Sequence, residues 1–240
     1  MKVLHISGAR GWGGNEQQLI LNINELNILG TQNFIFGINN SDLEKVASEN
    51  EINFISSKAK KLSKLSNISQ LKNILKEKDI DVIHLHTSDS LTLFYLFSLF
   101  NKVTQKVIFS KKGIGSSSSF LSKLKYNSSK INHIICVSEA VKTDFSKILS
   151  PKNKSKLAVV YDCISTKDID VDANFISEFT NKYDIKPTDF IIGSIANHTK
   201  AKDIPTLISA INILVTKYNV SNFKLVQVGE FSKLTPEFQA

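Results

Sequence analysis

The residues best suited to chemistry in this chain are the glycines Gly11, Gly13 and Gly14, which follow the apolar run of residues 3–6. A helix-length amphipathic segment, residues 18–29, comes next and is followed by Gly30. Glycines allow backbone N–H groups to approach an anion closely, and the start of a helix adds partial positive charge. A strand, a glycine loop and a helix in this order therefore predict a phosphate-binding site.

Two common kinds of phosphate loop do not fit this segment. The dinucleotide fingerprint G-x-G-x-x-G needs a third glycine where this chain has Glu16, and it needs an acidic residue at the end of the second strand. The second predicted strand is followed by Asn39 and Asn40 instead. No Gly-Lys-Ser/Thr sequence of the P-loop type follows a glycine loop either. A nicotinamide oxidoreductase is therefore disfavoured.

Further chemically capable residues follow other predicted strands. His86 ends the predicted strand of residues 82–86, and His84 lies two positions earlier, so both side chains point to the same face. Lys111 and Lys112 follow the predicted strand of residues 106–110. Ligands of open α/β sheets bind beyond the carboxyl ends of the strands, where these residues are expected. A functional role is favoured for His86, and His84 is interpreted as structural.

Strand-length apolar runs alternate with helix-length segments along the whole chain. The first seven predicted strands are residues 3–7, 34–38, 52–55, 82–86, 106–110, 133–138 and 157–161. Such alternation predicts an α/β fold with a Rossmann-like, doubly wound parallel sheet. Two further strands, residues 190–196 and 223–228, flank a helix that Asp203 is predicted to cap and that ends at Lys217, as in the opening strand-helix-strand part of a second Rossmann-like domain.

The predicted domains follow from this pattern. Residues 1–165 form an N-terminal Rossmann-like domain, residues 166–188 a linker with a short helix, and residues 189–240 part of a second domain. Two parallel strands leave an edge and a face open, and residues 236–240 resemble the first turn of a helix. The second domain is therefore expected to be incomplete.

Composition limits the class of protein. The formal net charge is +8, and lysines cluster at residues 58–64 and 152–156, which predicts attraction to anionic lipid unless these are simply solvated surfaces. No aromatic residues interleave with them, so nucleic-acid binding is not expected. Two cysteines and no apolar run of roughly 18 residues favour a cytoplasmic protein, in contact at most with the inner face of the membrane. No His/Cys cluster has zinc spacing, so neither a metal nor another cofactor is expected.

Four segments resemble, in order and spacing, the motifs of a known family. They are residues 12–18 (Trp-Gly-Gly-Asn-Glu-Gln-Gln), 81–86 (Asp-Val-Ile-His-Leu-His), 135–141 (Ile-Cys-Val-Ser-Glu-Ala-Val) and 195–208, which includes Asn197 and Lys202. Together they resemble a retaining, family-four-type glycosyltransferase of GT-B architecture, of the kind that builds lipopolysaccharides and other glycans. The resemblance spans nearly the whole chain.

The resemblance implies residue roles on the donor side. Gly13 and Gly14 match the loop that lies against the donor diphosphate between the two domains of the family. Lys202 matches the lysine that contacts the leaving diphosphate, and Asn197 stands where the family often has an arginine. His86 matches a catalytic histidine near the reacting sugar.

The resemblance also implies an acceptor side, for which structural interpretations stay open. Trp12 is suited to stacking on a sugar ring or to packing over the loop. Glu16 matches the acidic residue that closes the glycine motif and equally suits a helix start. Lys111 and Lys112 match a basic pair of lipopolysaccharide-type relatives that fits an acidic or phosphorylated acceptor, or they belong to a surface loop.

The function implied by the resemblance is transfer of a hexose or related sugar from a nucleotide-sugar donor to a glycan or lipid-linked acceptor, without a metal. The paired glutamates of the family's donor motif are not found in these 240 residues. The chain alone is therefore expected to bind donor weakly and to turn it over little. The alternative is a non-catalytic acceptor-binding or assembly module that a partner polypeptide completes.

Overall fold

The computed structural model describes residues 1–164 and 172–229 of the chain. Contacts divide the chain into two units, Met1–Ser165 (unit 1) and Thr166–Ala240 (unit 2). Unit 1 contains a seven-stranded sheet, and the described part of unit 2 contains a two-stranded one. The predicted linker residues 166–171 and the helix start expected at residues 236–240 lie outside the described residues.

All neighbouring strands of the unit 1 sheet are parallel, in the order β3-β2-β1-β4-β5-β6-β7. This order confirms the predicted α/β fold with a doubly wound sheet. The strands are β1 (Lys2–Ser7), β2 (Gln32–Gly37), β3 (Asn53–Ser56), β4 (Val82–Leu85), β5 (Lys106–Lys111), β6 (His133–Cys136) and β7 (Leu157–Val159). Each lies within a few residues of a predicted strand.

The helices of unit 1 are α1 (Gly14–Ile28), α2 (Asp42–Glu49), α3 (Leu65–Lys78), α4 (Ser88–Phe100), α5 (Phe120–Tyr126), α6 (Glu139–Ser146) and α7 (Pro151–Lys154). Side chains fix several of their starts. Ser41 accepts a hydrogen bond from the Glu44 N–H, and Thr87 and Ser90 form a reciprocal capping box at α4. None of the helices described in the chain is both long and apolar enough to cross a membrane.

The core of unit 1 lies on both faces of the sheet. Along β2, Phe34 and Phe36 belong to one buried cluster, and Ile35 belongs to the other. Successive side chains of a strand point to opposite faces, so a strand covered on both sides must be apolar throughout. Each such side chain contributes about 1.5–3 kcal/mol by burial. The two layers hold the carboxyl ends of the strands in fixed positions.

The described part of unit 2 comprises α8 (Ala173–Lys182), β8 (Phe190–Ile195), a 3-10 helix (Lys200–Lys202), α9 (Ile204–Tyr218) and β9 (Phe223–Val228). The two strands are parallel, as the predicted strand-helix-strand unit requires. The prediction that the Asp203 side chain caps α9 is wrong, because Asp203 precedes the helix in a left-handed conformation with φ 47°. Its carboxylate accepts a hydrogen bond from the Thr206 hydroxyl and caps no backbone N–H.

Candidate functional site

Most of the predicted site residues of unit 1 gather around two adjacent strands, β1 and β4, and Lys111 and Lys112 lie at the end of the next strand, β5. From β1 and β4 the strand order runs outwards in both directions, through β2 to one edge and through β5 to the other. The glycine loop follows β1, and His86 follows β4 with its backbone N–H bonded to the Ile6 carbonyl at 3.0 Å. Such a reversal of strand order opens a crevice at the carboxyl edge of the sheet.

The glycine loop ends at Gly13, the residue before the first turn of α1. Gly13 is extended with φ −166°, so neither it nor the helical Gly14 uses the left-handed region. A Cβ on Gly14 would meet no atom within 4 Å. A Cβ on Gly13 would meet only the Glu16 Oε2 at 3.3 Å, among atoms within 4 Å. The fold itself therefore does not require glycine at position 14, and it leaves open space beside the helix start.

Two side chains border this open space. The Glu16 carboxylate accepts hydrogen bonds from its own N–H and from that of Gly13; burial raises its pKa, and these two bonds act in the opposite direction. The carboxylate thus occupies the helix start, as a negative group is expected to do. Trp12 is 38% exposed, so a large part of its ring is open to solvent.

Three histidine rings meet beside the loop. His5 of β1 and His84 of β4 are paired in register, and the rings of His84 and His86 lie 4.0 Å apart between centroids. The His5 Nδ1 and His86 Nε2 atoms are 3.0 Å apart. Burial lowers the pKa of His5 to about 4 and that of His84 to about 3, and it holds the pKa of His86 well below 6.5. All three rings are therefore neutral at pH 7.

Hydrogen bonds assign the proton positions in this cluster. The Asn33 side-chain N–H groups donate to Asn27 Oδ1 at 2.7 Å and to Thr31 Oγ1 at 2.8 Å. The Asn33 Oδ1 therefore accepts from His5 Nε2, at 3.1 Å. With its proton on Nε2, the neutral His5 ring accepts at Nδ1 from the His86 Nε2–H. The His86 Nδ1 is then unprotonated and can accept a hydrogen bond.

One ring nitrogen from each of these three histidines lies within 4.8 Å of the other two, a spacing that would allow them to coordinate one metal ion. Three features favour the hydrogen-bonded arrangement. A proton lies between His5 and His86, the His84 Nε2 is bonded to Ser110 Oγ at 2.8 Å, and the positive charge of Lys112 acts on both His84 and His86. The absence of a metal remains a prediction.

The basic pair after β5 is engaged within unit 1. Lys112 forms an ion pair with Asp162, and its side chain is only 16% exposed. The Lys111 Nζ donates to the Gly113 carbonyl and lies 5.9 Å from the centroid of the Phe145 ring. Burial lowers the pKa of Lys111. The two lysines lie at the carboxyl edge of the unit 1 sheet, as predicted. Their ammonium groups contact Asp162 and the Gly113 carbonyl of the same unit.

The predicted residues of unit 2 follow its first strand. The Asn197 carbonyl accepts from the Thr199 N–H at 2.8 Å, and the Thr199 carbonyl accepts from the Lys202 N–H at 3.0 Å. Asn197 and Lys202 thus lie in one compact turn between β8 and α9, and both are exposed. This is the carboxyl edge of the unit 2 sheet, where ligands of such folds bind.

Gly8 is a residue of the site that the sequence patterns did not single out. Its N–H donates to Thr87 Oγ1 at 2.9 Å, which joins the loop after β1 to the start of α4. A Cβ on Gly8 would lie 2.8 Å from Asp89 Cβ and 3.2 Å from Thr87 Oγ1. His5 and Asn33 were also missed, because only the pairing of β1 with its neighbours reveals their contacts.

We expect Gly8→Ala to destabilise unit 1 by about 1–3 kcal/mol, the usual cost of overpacking a filled site. The added methyl group has to displace the first turn of α4. Urea unfolding measures the change, and Gly14→Ala is the matched control because no atom lies within 4 Å of its Cβ position. Equal unfolding midpoints for the two variants would contradict the close packing at Gly8.

One family model matches this chain, and several solved structures share its fold. The family model described as Glycosyltransferase Family 4 matches residues 13–168. Among solved structures, Anabaena HepE in complex with UDP and glucose superposes with a TM-score of 0.78 at 15% identity; the match covers 100% of this chain and 64% of HepE.

Two other solved structures are similar. A glycosyltransferase from Rickettsia africae has a TM-score of 0.68 and 16% identity, with 95% of this chain and 68% of that one covered. The lipopolysaccharide outer core galactosyltransferase WaaB has a TM-score of 0.63 and 15% identity, with 100% and 63% covered. With 64% of HepE and 63% of WaaB covered, the chain spans less than two thirds of the length of these two proteins. No curated protein matches the sequence.

Proposed function

Because this chain belongs to Glycosyltransferase Family 4, we propose that it serves the transfer of a sugar from a nucleotide-sugar donor to a glycan or lipid-linked acceptor. The observation that carries the proposal is the meeting of the glycine loop and His86 at the adjacent ends of β1 and β4. An anion site and a neutral hydrogen-bonding ring are what a sugar–diphosphate donor needs.

The proposed chemistry follows from the charge that develops as the sugar–phosphate bond breaks. Negative charge grows on the leaving diphosphate, and preorganised N–H groups and cations stabilise it. The N–H groups at the start of α1, beside Gly13 and Gly14, are assigned to the donor diphosphate, and so are Lys202 and Asn197 of unit 2. No metal is needed for this step. Retention of configuration and a hexose donor are part of the proposal.

His86 is assigned to the reacting sugar. Its Nε2–H is held by His5, so the unprotonated Nδ1 is the atom left to accept a hydrogen bond. A neutral ring accepts from a sugar hydroxyl without adding positive charge next to the developing oxocarbenium. Trp12 and Glu16 are assigned to the acceptor side together with Lys111 and Lys112.

The nature of donor and acceptor is supported by the relatives. HepE is described with UDP and glucose, and WaaB as a lipopolysaccharide outer core galactosyltransferase. A cytoplasmic location, with contact at the inner face of an anionic membrane, completes the proposal. In support, α5 exposes Phe120 and Leu121 beside Lys123, a combination suited to a lipid surface.

A second candidate function is an acceptor-binding or assembly module that a partner polypeptide completes. It is favoured by the exposure of apolar side chains on the described part of unit 2, among them Phe190, Ile195 and Ile213. Such a module would bind acceptor without consuming a nucleotide sugar.

Calorimetric titration of the chain with UDP, GDP, ADP and dTDP, each beside its nucleoside, tests the proposal. One diphosphate is expected to bind at least about tenfold more tightly than its nucleoside, because the diphosphate carries the charge that the loop recognises. Slow hydrolysis of the corresponding nucleotide sugar, in which water takes up the sugar and the same diphosphate leaves, is expected as well. If no nucleotide sugar is hydrolysed and no diphosphate binds, the proposed enzymatic function is wrong. That result would favour the acceptor-binding or assembly module.

A further inference from the structure

A cavity with charged, polar and apolar lining, Ile38 included, lies in unit 1 beside the glycine loop. Its volume is about 450 Å³, and it is lined by Arg10, Lys58 and Lys60 together with Asn39, Asn40 and Ser41. These residues belong to the loops that follow β1, β2 and β3, so the cavity lies at the carboxyl edge of the sheet. The Arg10 guanidinium Nη2 donates to the Lys60 carbonyl at 3.0 Å, which fixes the arginine at the rim.

The cationic side chains of this cavity are not ion-paired among the described residues, although Asp42 and Glu44 in the first turn of α2 follow the lining residue Ser41. In the part of the chain that the structure describes, none of the three cationic side chains forms an ion pair, whereas lysines elsewhere in unit 1 do. The carboxylate of Glu44, in the adjacent first turn of α2, instead accepts from the Asn40 N–H at 2.5 Å and from the Ser56 hydroxyl. Three cationic residues that line one concavity attract an anion there.

The number and kind of these groups select the anion. An arginine fork and two ammonium groups match the geometry and charge of a phosphate, which carries close to two negative charges at pH 7 and three acceptor oxygens. The amides of Asn39 and Asn40 and the Ser41 hydroxyl are suited to sugar hydroxyls. A carboxylate, with one charge, would leave two cations unbalanced.

We propose that this cavity binds a sugar that carries a phosphate group, as the acceptor of the reaction. The inference rests on the proposed function and names its acceptor class. It adds Arg10, Lys58 and Lys60 to the acceptor side, where the charges of Lys111 and Lys112 are also engaged with the Gly113 carbonyl and Asp162.

The test is the affinity of the full chain for glucose 6-phosphate, with glucose and glucuronate as comparators, followed by calorimetry or ligand-observed NMR. Arg10→Gln and Lys58→Gln are each expected to weaken glucose 6-phosphate binding about tenfold, because each removes a charge-assisted contact to the phosphate. Lys58→Gln is expected to leave the loop conformation unchanged, because Lys58 is hydrogen-bonded to Gln70 through its backbone N–H, which the substitution keeps. Lys61→Gln is the control, with the same charge change at an exposed residue outside the cavity.

Glucose 6-phosphate that binds no better than glucose or glucuronate overturns the inference. Loss of affinity in Lys61→Gln equal to that in Lys58→Gln also overturns it, because the effect would then reflect net charge alone. Nucleoside diphosphate binding separates this outcome from failure of the proposed function. The cavity variants are expected to retain it, and its absence from the unaltered chain counts against the donor site only.

Discussion

Lowering the pH from 7 to 5 is expected to destabilise unit 1 by about 2 kcal/mol for each of His5 and His84, and His86 acts in the same direction. The whole cluster then removes several kcal/mol, a large part of the roughly 5–15 kcal/mol that stabilises a typical domain. Unfolding of unit 1 under mild acid is therefore the largest effect that we expect from any single change of conditions.

The sign follows from the direction of the pKa shifts. In the unfolded chain each histidine takes up a proton near pH 6.5, whereas in the folded unit burial lowers the pKa to about 4 for His5 and to about 3 for His84. Between these values the unfolded state binds more protons, so stability is complete above pH 6.5 and falls as the pH is lowered. The nearby charge of Lys112 acts in the same direction on His84 and His86. Glu16, whose pKa is raised by burial, opposes the trend as a single group.

Urea unfolding between pH 7 and 5.5, followed by circular dichroism and by the fluorescence of Trp12, measures the effect. Trp12 is the single tryptophan of the chain and lies in unit 1. His5→Gln is expected to reduce the slope of stability against pH by an amount that grows as the pH falls and approaches one proton, about 1.4 kcal/mol per pH unit, near pH 5.5, whatever its effect on stability at pH 7. The exposed His133→Gln is expected to leave the slope unchanged. A wild-type slope near zero would contradict the neutral cluster.

The second large effect concerns the glycine loop. Gly14→Asp is expected to weaken nucleoside diphosphate binding by about tenfold or more, because like charges brought together in a binding site cost several kcal/mol. The same change should leave folding intact. A Cβ at position 14 meets no atom within 4 Å, and a negative charge in the first turn of α1 interacts favourably with the helix dipole.

Gly14→Asn is the matched control, since it adds the same bulk without the charge. It is expected to retain most of the affinity, whereas Gly14→Asp loses it at an unchanged urea midpoint. Diphosphate affinity that is equal in the two variants and the unaltered chain would remove the helix start from the binding site. Loss of affinity with a lowered midpoint in both variants would indicate a structural role instead.

Much of the fold could be predicted because its signals are local. Apolar runs bounded by glycines and polar residues gave strand positions to within a few residues, and the two-residue period placed His84 and His86 on one face. The alternation of strands and helices sufficed for a doubly wound sheet. Asp203 shows the limit of local signals, because its left-handed conformation and its contact with Thr206 depend on the 3-10 turn before it.

The sequence by itself determined the elements, the glycine loop and the carboxyl edge on which chemistry is expected, because these follow from side-chain period and backbone freedom within a few residues. Only the tertiary structure decided which distant residues meet there. His5 reaches His86, Lys112 pairs with Asp162, and Arg10 joins Lys58 and Lys60 around one cavity. These contacts join residues about 50 to 80 positions apart. They depend on the order of strands in the sheet. This order is set by packing between elements and cannot be predicted from the sequence of any single strand or helix.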